Sequence, residues 1–236
     1  MFRLIRNFII ILIILVALIF GFIIVKGHSM YSSALANCDL KTKIASIKES
    51  KTNYIEYNDI PKDYVNAVIA TEDHRFFEHK GIDFRSLVRA LVVDITKRSF
   101  EQGGSTITQQ LSKNLYFDQN KDITRKIAEI FMASHLENSL TKEEIFELYA
   151  NTSYFGDGYY GLGEAALGYF NKEPKDLTLY ECTLLAGVPN APSIYAPTAN
   201  MDLCIQRQNQ VINSMLKYNY IDENTANQIK EEQPKN

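Results

Sequence analysis

The sequence contains no tryptophan, three cysteines and six prolines among its 236 residues. An odd number of thiols, at Cys38, Cys182 and Cys204, cannot complete a disulfide framework, and no C-x-x-C pair marks a zinc site. Six prolines and eleven glycines are too few for a collagen-like or low-complexity chain. Charge of one sign is lacking too: 25 Lys and Arg against 28 Asp and Glu leave a net −3, which gives nucleic acid no bulk attraction. No segment reads G-x-x-x-x-G-K-[ST], so a Walker loop is absent. Internal repeats and convincing alternating strand pairs are missing as well. What remains, 46% apolar and 11% aromatic residues, is enough to bury a core without covalent staples.

The long apolar run is Phe8 to Val25, 18 residues whose side chains are all apolar apart from Gly21. At about 1.5 Å per residue it reaches roughly 27 Å, close to the hydrocarbon thickness of a bilayer and longer than a secretory core of about 7 to 15 residues. Arg3 and Arg6 precede it and no acid occurs before Asp39. That bias predicts a single-pass membrane protein with residues 1–7 as a cytoplasmic tail, 8–25 as the spanning helix and the remainder extracytoplasmic. Ala34-Leu35-Ala36 has the form of a cleavage site but lies nine residues beyond the run. Residues 26–58 are polar and irregular, which predicts a stalk, and 59–236 read as one mostly α domain. Helix signals start at Pro61 and recur at Asp83, Ser105, Asp122 and the Thr141/Glu144 capping box, then near Gly163, Leu179, Asp202 and Asp222.

Three segments carry chemistry. Glu72 falls four residues after Val68, three after Ile69 and seven after Val65, so it shares their inward helix face. A carboxylate held short of water there suits a base or proton donor; the bland reading is a helix-end acid that turns to solvent or pairs with Arg75 or His79. The spacing of His74 and His79 does not match a helical zinc pair. In GGSTITQQLSKN, Gly103 to Asn114, the polar residues Thr106, Gln109, Gln110 and Lys113 share one side of a helix. Ser105 is placed to start that helix, and its freed amides favour an anion. Hydroxyls and amides crowded beside one lysine suit sugar hydroxyls and phosphate oxygens. In RKIAEIFMASHLE, Arg125 and Lys126 lie four and three residues before Glu129. By itself that is an ordinary surface ion pair; two cations beside an acid also suit a pyrophosphate held directly or through a metal.

Taken together, EDHRFFEHKG (Glu72 to Gly81), GGSTITQQLSKN and RKIAEIFMASHLE, followed in order by NTSYFGDGYYGLGEAALGYF, LTLYECTLLAGVPNAPS and RQNQVINSMLKYNYI, resemble the signatures of the peptidoglycan glycosyltransferases. This is family 51 of the glycosyltransferases, the polymerising domain of bifunctional penicillin-binding proteins. The resemblance implies a lysozyme-like head lobe with a smaller, membrane-associated jaw. The helix from Phe84 to Ile95, apolar around most of its circumference through Leu87, Val88, Leu91, Val92 and Val93, is the candidate for the jaw; a plain core helix is the alternative.

By the same resemblance Glu72 is the general base on the acceptor 4-hydroxyl, and Glu129 with Lys113, Arg125 and Lys126 stabilises the departing lipid pyrophosphate. A divalent cation, magnesium or manganese, is implied, with Glu129 as its candidate ligand. Asp73, Phe76, His79, Ser105, Thr106, Gln109, Gln110 and Asn114 fall at positions expected to bind substrate or shape the cleft. The implied substrates are lipid II and the growing lipid-linked glycan, at the bacterial cell membrane and beside other cell-wall synthesis proteins. No transpeptidase pattern follows: Ser139-Leu140-Thr141-Lys142 fits S-x-x-K but reads as a turn and cap, so a monofunctional chain is expected. Two rivals stay open: a membrane-anchored glycan hydrolase, which has no need of the cation cluster, and a silent scaffold, which has no need of the glutamates.

Overall fold

Eleven α-helices and three short 3-10 turns form among the residues that the computed structural model describes, 2–85, 104–118 and 122–234. The sole β pairing among them is an isolated antiparallel bridge between Tyr154 and Tyr160. The helix expected over Phe84 to Ile95 lies, beyond its first two residues, outside the described residues.

Helix α1 runs from Phe2 to Asn37, well past the predicted end of the apolar run. Its apolar part is long enough to cross a membrane and is not buried by the rest of the protein. Past Lys26 the same helix packs on α5 (Ile123–Ser139). Gly27 is its one buried residue, and a Cβ there would come within 2.5 Å of Ile127 Cγ2, so the close crossing requires glycine. His28 and Tyr31 complete the contact with Phe131 at ring separations of 5.1 and 6.0 Å.

The predicted irregular stalk is therefore corrected. Residues 26–37 continue α1, and Leu40–Ser50 form α2, capped by the Asp39 side chain. The segment that follows is docked rather than loose. Asn151 pairs with both backbone polar groups of Ile55, at 2.9 and 2.8 Å. Glu147 accepts from Tyr54 Oη at 2.5 Å and from the Tyr57 amide at 2.9 Å. These long-range partners satisfy backbone groups that the local sequence leaves open.

The other helices follow the sequence signals closely. Pro61 leads into α3 (Lys62–Glu72), Asp122 caps α5, and Thr141 with Glu144 forms the capping box of α6 (Lys142–Thr152). Helix α4 (Ile107–Tyr116) starts one residue later than expected, because Thr106 rather than Ser105 caps it. Helix α7 (Leu162–Phe170) ends at Asn171 in the left-handed conformation that asparagine tolerates. Then come α8 (Leu179–Gly187), the single turn α9 (Pro192–Tyr195), α10 (Met201–Lys217) and α11 (Glu223–Glu231).

Two packed groups meet in one core. Helix α3 lies against α8 and α10, while α4 lies against α5 and α6. Tyr64, Phe76, Phe146 and Tyr149 join them, all essentially without solvent exposure. Fully burying such side chains contributes about 1.5–3 kcal/mol each. Cys182 and Cys204 sit in this core as free thiols, both pushed up to about 12 by burial.

Candidate functional site

The site forms where the last turn of α3, the first turns of α4 and α5, and the middle of α10 converge. Glu72 ends α3, and its side chain is 10% exposed. Its Oε2 accepts from Gln110 Nε2 of α4 at 2.8 Å, and its Oε1 accepts from an Arg207 guanidinium nitrogen of α10 at 2.7 Å. Neither Arg75 nor His79 is its partner: Arg75 binds Asp83, and His79 Nε2 lies 2.8 and 2.9 Å from the two Asp73 oxygens.

One turn beyond Gln110 on the same helix is Lys113. It is half-buried and, among the described residues, has no direct ion-pair partner. Burial lowers its proton affinity below the ordinary 10.5; Glu129 and Glu72 oppose that fall, while Arg125 and Lys126 add to it. Lys113 thus feels both glutamates and both cations. Asn114, four residues after Gln110, is half-buried on the adjoining face.

Helix α5 supplies the remaining charges. Glu129 is 2% exposed, and its two oxygens are taken by Arg125 and by Lys126, the latter at 3.0 Å. Lys126 also donates to Ser105 Oγ at 2.6 Å, which ties the start of α5 to the start of α4. Arg125 keeps a buried Nε without a hydrogen-bond partner among the described residues. It lines a cleft of about 630 Å³ that opens towards α1, where Lys26, Ser29, Ser33 and Asn37 form the facing wall.

The described residues just after α3 and just before α4 are tied to both helices. Asp73 Oδ2 accepts the Ile107 amide at 3.1 Å, and Thr106 Oγ1 donates to the Gly81 carbonyl at 2.7 Å while accepting the Gln109 amide. The amides expected to hold a substrate anion at the start of α4 are in part satisfied by the protein's own Asp73 and Thr106. Gly81 takes φ +79°, a conformation that favours glycine, and a Cβ there would come to 3.2 Å from the Ala133 carbonyl group.

Several predicted contact residues are accordingly framework. Phe76 has 0% exposure and packs edge-on against Phe146 at 6.2 Å, so its ring faces the core and not a ligand. Gln109 is 5% exposed and turned inward, because its place on α4 faces the packed side. Asp73, His79 and Thr106 hold the loop in place. Glu72, Gln110, Lys113, Arg125 and Lys126 are left as the groups able to face a ligand, with Ser105 and Asn114 beside them.

Arg207 is the residue that sequence reasoning left without a role. The signal was the one that marked Glu72: it lies three residues after Cys204 and four before Val211, both buried, on a face where a charge is out of place. The expected metal ligand meets an obstacle. Among the described residues no three His, Cys, Asp or Glu side chains converge as a metal cage, and both Glu129 oxygens are committed to cations. The residues present do not fit a resident divalent cation.

A family model described as transglycosylase matches residues 40–216 of the chain. The chain is 44% identical over 178 residues to penicillin-binding protein 1A of Vibrio cholerae, covering 75% of this chain and 22% of that protein. It is 42% identical over 179 residues to penicillin-binding protein 1F of Bacillus subtilis, covering 76% and 25% respectively. The crystal structure of penicillin-binding protein 1A from Haemophilus influenzae is similar at a TM-score of 0.46 and 22% identity, over 77% of this chain and 18% of that one. The chain thus spans about a quarter or less of the length of these curated relatives.

Proposed function

The chain belongs to the transglycosylase family, and from that membership we propose that it is a peptidoglycan glycosyltransferase that polymerises lipid II at the bacterial cell membrane. The observation that carries the reading is the position of Lys113. It stands one turn from the glutamine that touches Glu72, inside the field of Glu129, Arg125 and Lys126. A base and an anion-receiving site then flank one substrate position.

Glu72 takes the proton of the acceptor sugar 4-hydroxyl. The hydroxyl oxygen attacks the anomeric carbon of the donor, and the bond from that carbon to the pyrophosphate oxygen breaks. The pyrophosphate leaves on the opposite side with both bonding electrons, into Lys113, Arg125 and Lys126. Opposed groups on one displacement invert the anomeric centre. Glu129 acts through its neighbours in this scheme. A carboxylate repels pyrophosphate, so its part is to fix the two cations. Magnesium or manganese enters as a counter-ion carried by the substrate pyrophosphate, since the described residues offer it no cage.

The spanning part of α1 keeps this site at the surface where both lipid-linked reactants reside. Arg3 and Arg6 place the N-terminus in the cytoplasm and the catalytic part outside. The test is to incubate the purified protein with labelled lipid II in detergent, size the glycan and count released lipid pyrophosphate. Long glycan with one pyrophosphate per added disaccharide is expected. Soluble fragments cut from finished glycan would favour the hydrolase instead, and no turnover of either substrate would favour the scaffold.

A further inference from the structure

We propose that Arg207 is a positioning residue for Glu72, which aims the carboxylate at the place where the acceptor hydroxyl arrives. The inference rests on the reading of Glu72 as the base. The two side chains come together from helices 135 residues apart in sequence, and both are nearly buried, at 13% and 10% exposure. Such a pair is not a surface accident. Out of water, a lone arginine or a lone carboxylate is costly, so each is held by the other.

Arg207 is fastened along its length. Its Nε donates to the Gly187 carbonyl at 3.4 Å, its Nη1 donates to Gln210 Oε1 at 2.8 Å, and its guanidinium lies 6.0 Å from the centre of the Tyr195 ring. A Cβ on Gly187 would approach Arg207 Cγ to 2.9 Å, so the last turn of α8 is pressed against the arginine stem. With those anchors in place the remaining nitrogen, Nη2, has a fixed direction, and it meets Glu72 Oε1 at 2.7 Å.

The other oxygen is fixed from α4. Gln110 donates to Oε2 at 2.8 Å, and its own carbonyl oxygen accepts from Tyr149 Oη at 3.5 Å, which sets the sense of the amide. Each carboxylate oxygen has two lone pairs. Two anchors therefore leave acceptor capacity for a substrate hydroxyl, in a plane that the protein has already chosen.

Other groups whose fields meet Glu72 include Lys113 from α4, Tyr149 from α6 and Tyr64 on α3 itself. Burial raises both phenols well above their usual range, so they stay neutral. Arg207 is the cation in direct contact. Its contact fixes the direction of Oε1.

The test uses the full chain in detergent with labelled lipid II, comparing wild type with Arg207→Gln and Arg207→Lys. Arg207→Gln is expected to lower kcat by about 100-fold with KM near wild type, since a misaimed base affects the transition state rather than binding. Arg207→Lys is expected to restore kcat only in part, again with KM near wild type, because charge is kept while the planar fork is gone.

Wild-type kcat in folded Arg207→Gln, or a loss confined to KM, would overturn the proposal. If Arg207→Gln does not fold, Arg207→Lys alone decides: wild-type kcat overturns the role, and reduced kcat with KM near wild type supports it. Glu72→Gln separates the two levels. An active Glu72→Gln defeats the base itself, whereas an inactive Glu72→Gln beside unaffected Arg207 variants defeats only the positioning role.

Discussion

In the proposed mechanism Lys113 has two duties that pull in opposite directions: it must be charged to receive pyrophosphate, and it is partly withdrawn from water. Burial lowers its proton affinity below 10.5, so on raising the pH it becomes neutral before a free lysine does. The unfolded chain binds that proton more tightly than the folded one. The lysine therefore weakens the fold while charged, and this penalty lifts as pH rises towards 10.5. Activity runs the other way and should fall along the same alkaline limb. Lys113→Arg, which keeps its charge throughout, should shift that limb to higher pH when initial rates are followed from neutrality to 10.5. An unmoved limb would remove Lys113 from the leaving-group site. At this scale sequence was informative where a charge interrupts an apolar stripe, as at Glu72, and silent about pairing. Arg207 interrupts a stripe in the same way, but its partner lies 135 residues away and no local pattern connects them.

At the scale of elements, capping residues were the readable part. Asp122, Thr141 and Asp222 each mark a helix start in the structure, because the side chain that satisfies the first amides is local. Helix α1 beyond Lys26 was not readable. Its apolar residues Tyr31, Ala34 and Leu35 are sparse, and what stabilises them is α5, distant in sequence. The crossing at Gly27 makes a specific claim. A leucine there meets Ile127 within 2.5 Å of its first atom, and overpacking of this kind costs about 1–3 kcal/mol. Because Ile127 follows Arg125 and Lys126 directly on α5, Gly27→Leu should lower the melting temperature and reduce turnover together. Unchanged melting with full turnover would show that α1 merely touches α5.

For the whole molecule, one continuous helix links a segment long enough to cross a bilayer to the helix that carries Arg125 and Lys126. Deleting residues 2–25 while keeping 26–37 separates anchoring from packing. That variant should fold and act on lipid II in detergent at a rate near wild type, yet lose about 100-fold on lipid II in vesicles, where membrane attachment supplies effective concentration. Equal losses in both settings would mean that the spanning segment shapes the site itself. The mostly helical class and the anchoring helix were legible in composition and periodicity, whereas the docking of the entry segment onto Asn151 and Glu147 was not, since it depends on side chains a hundred residues downstream. Opposed action of Glu72 and the cation cluster on one displacement is tested most directly by Glu72→Gln, which keeps the side chain's shape but removes the base. Incubated with labelled lipid II, this variant is expected to bind the substrate and build no glycan. Chain growth near the wild-type rate would contradict that role for Glu72.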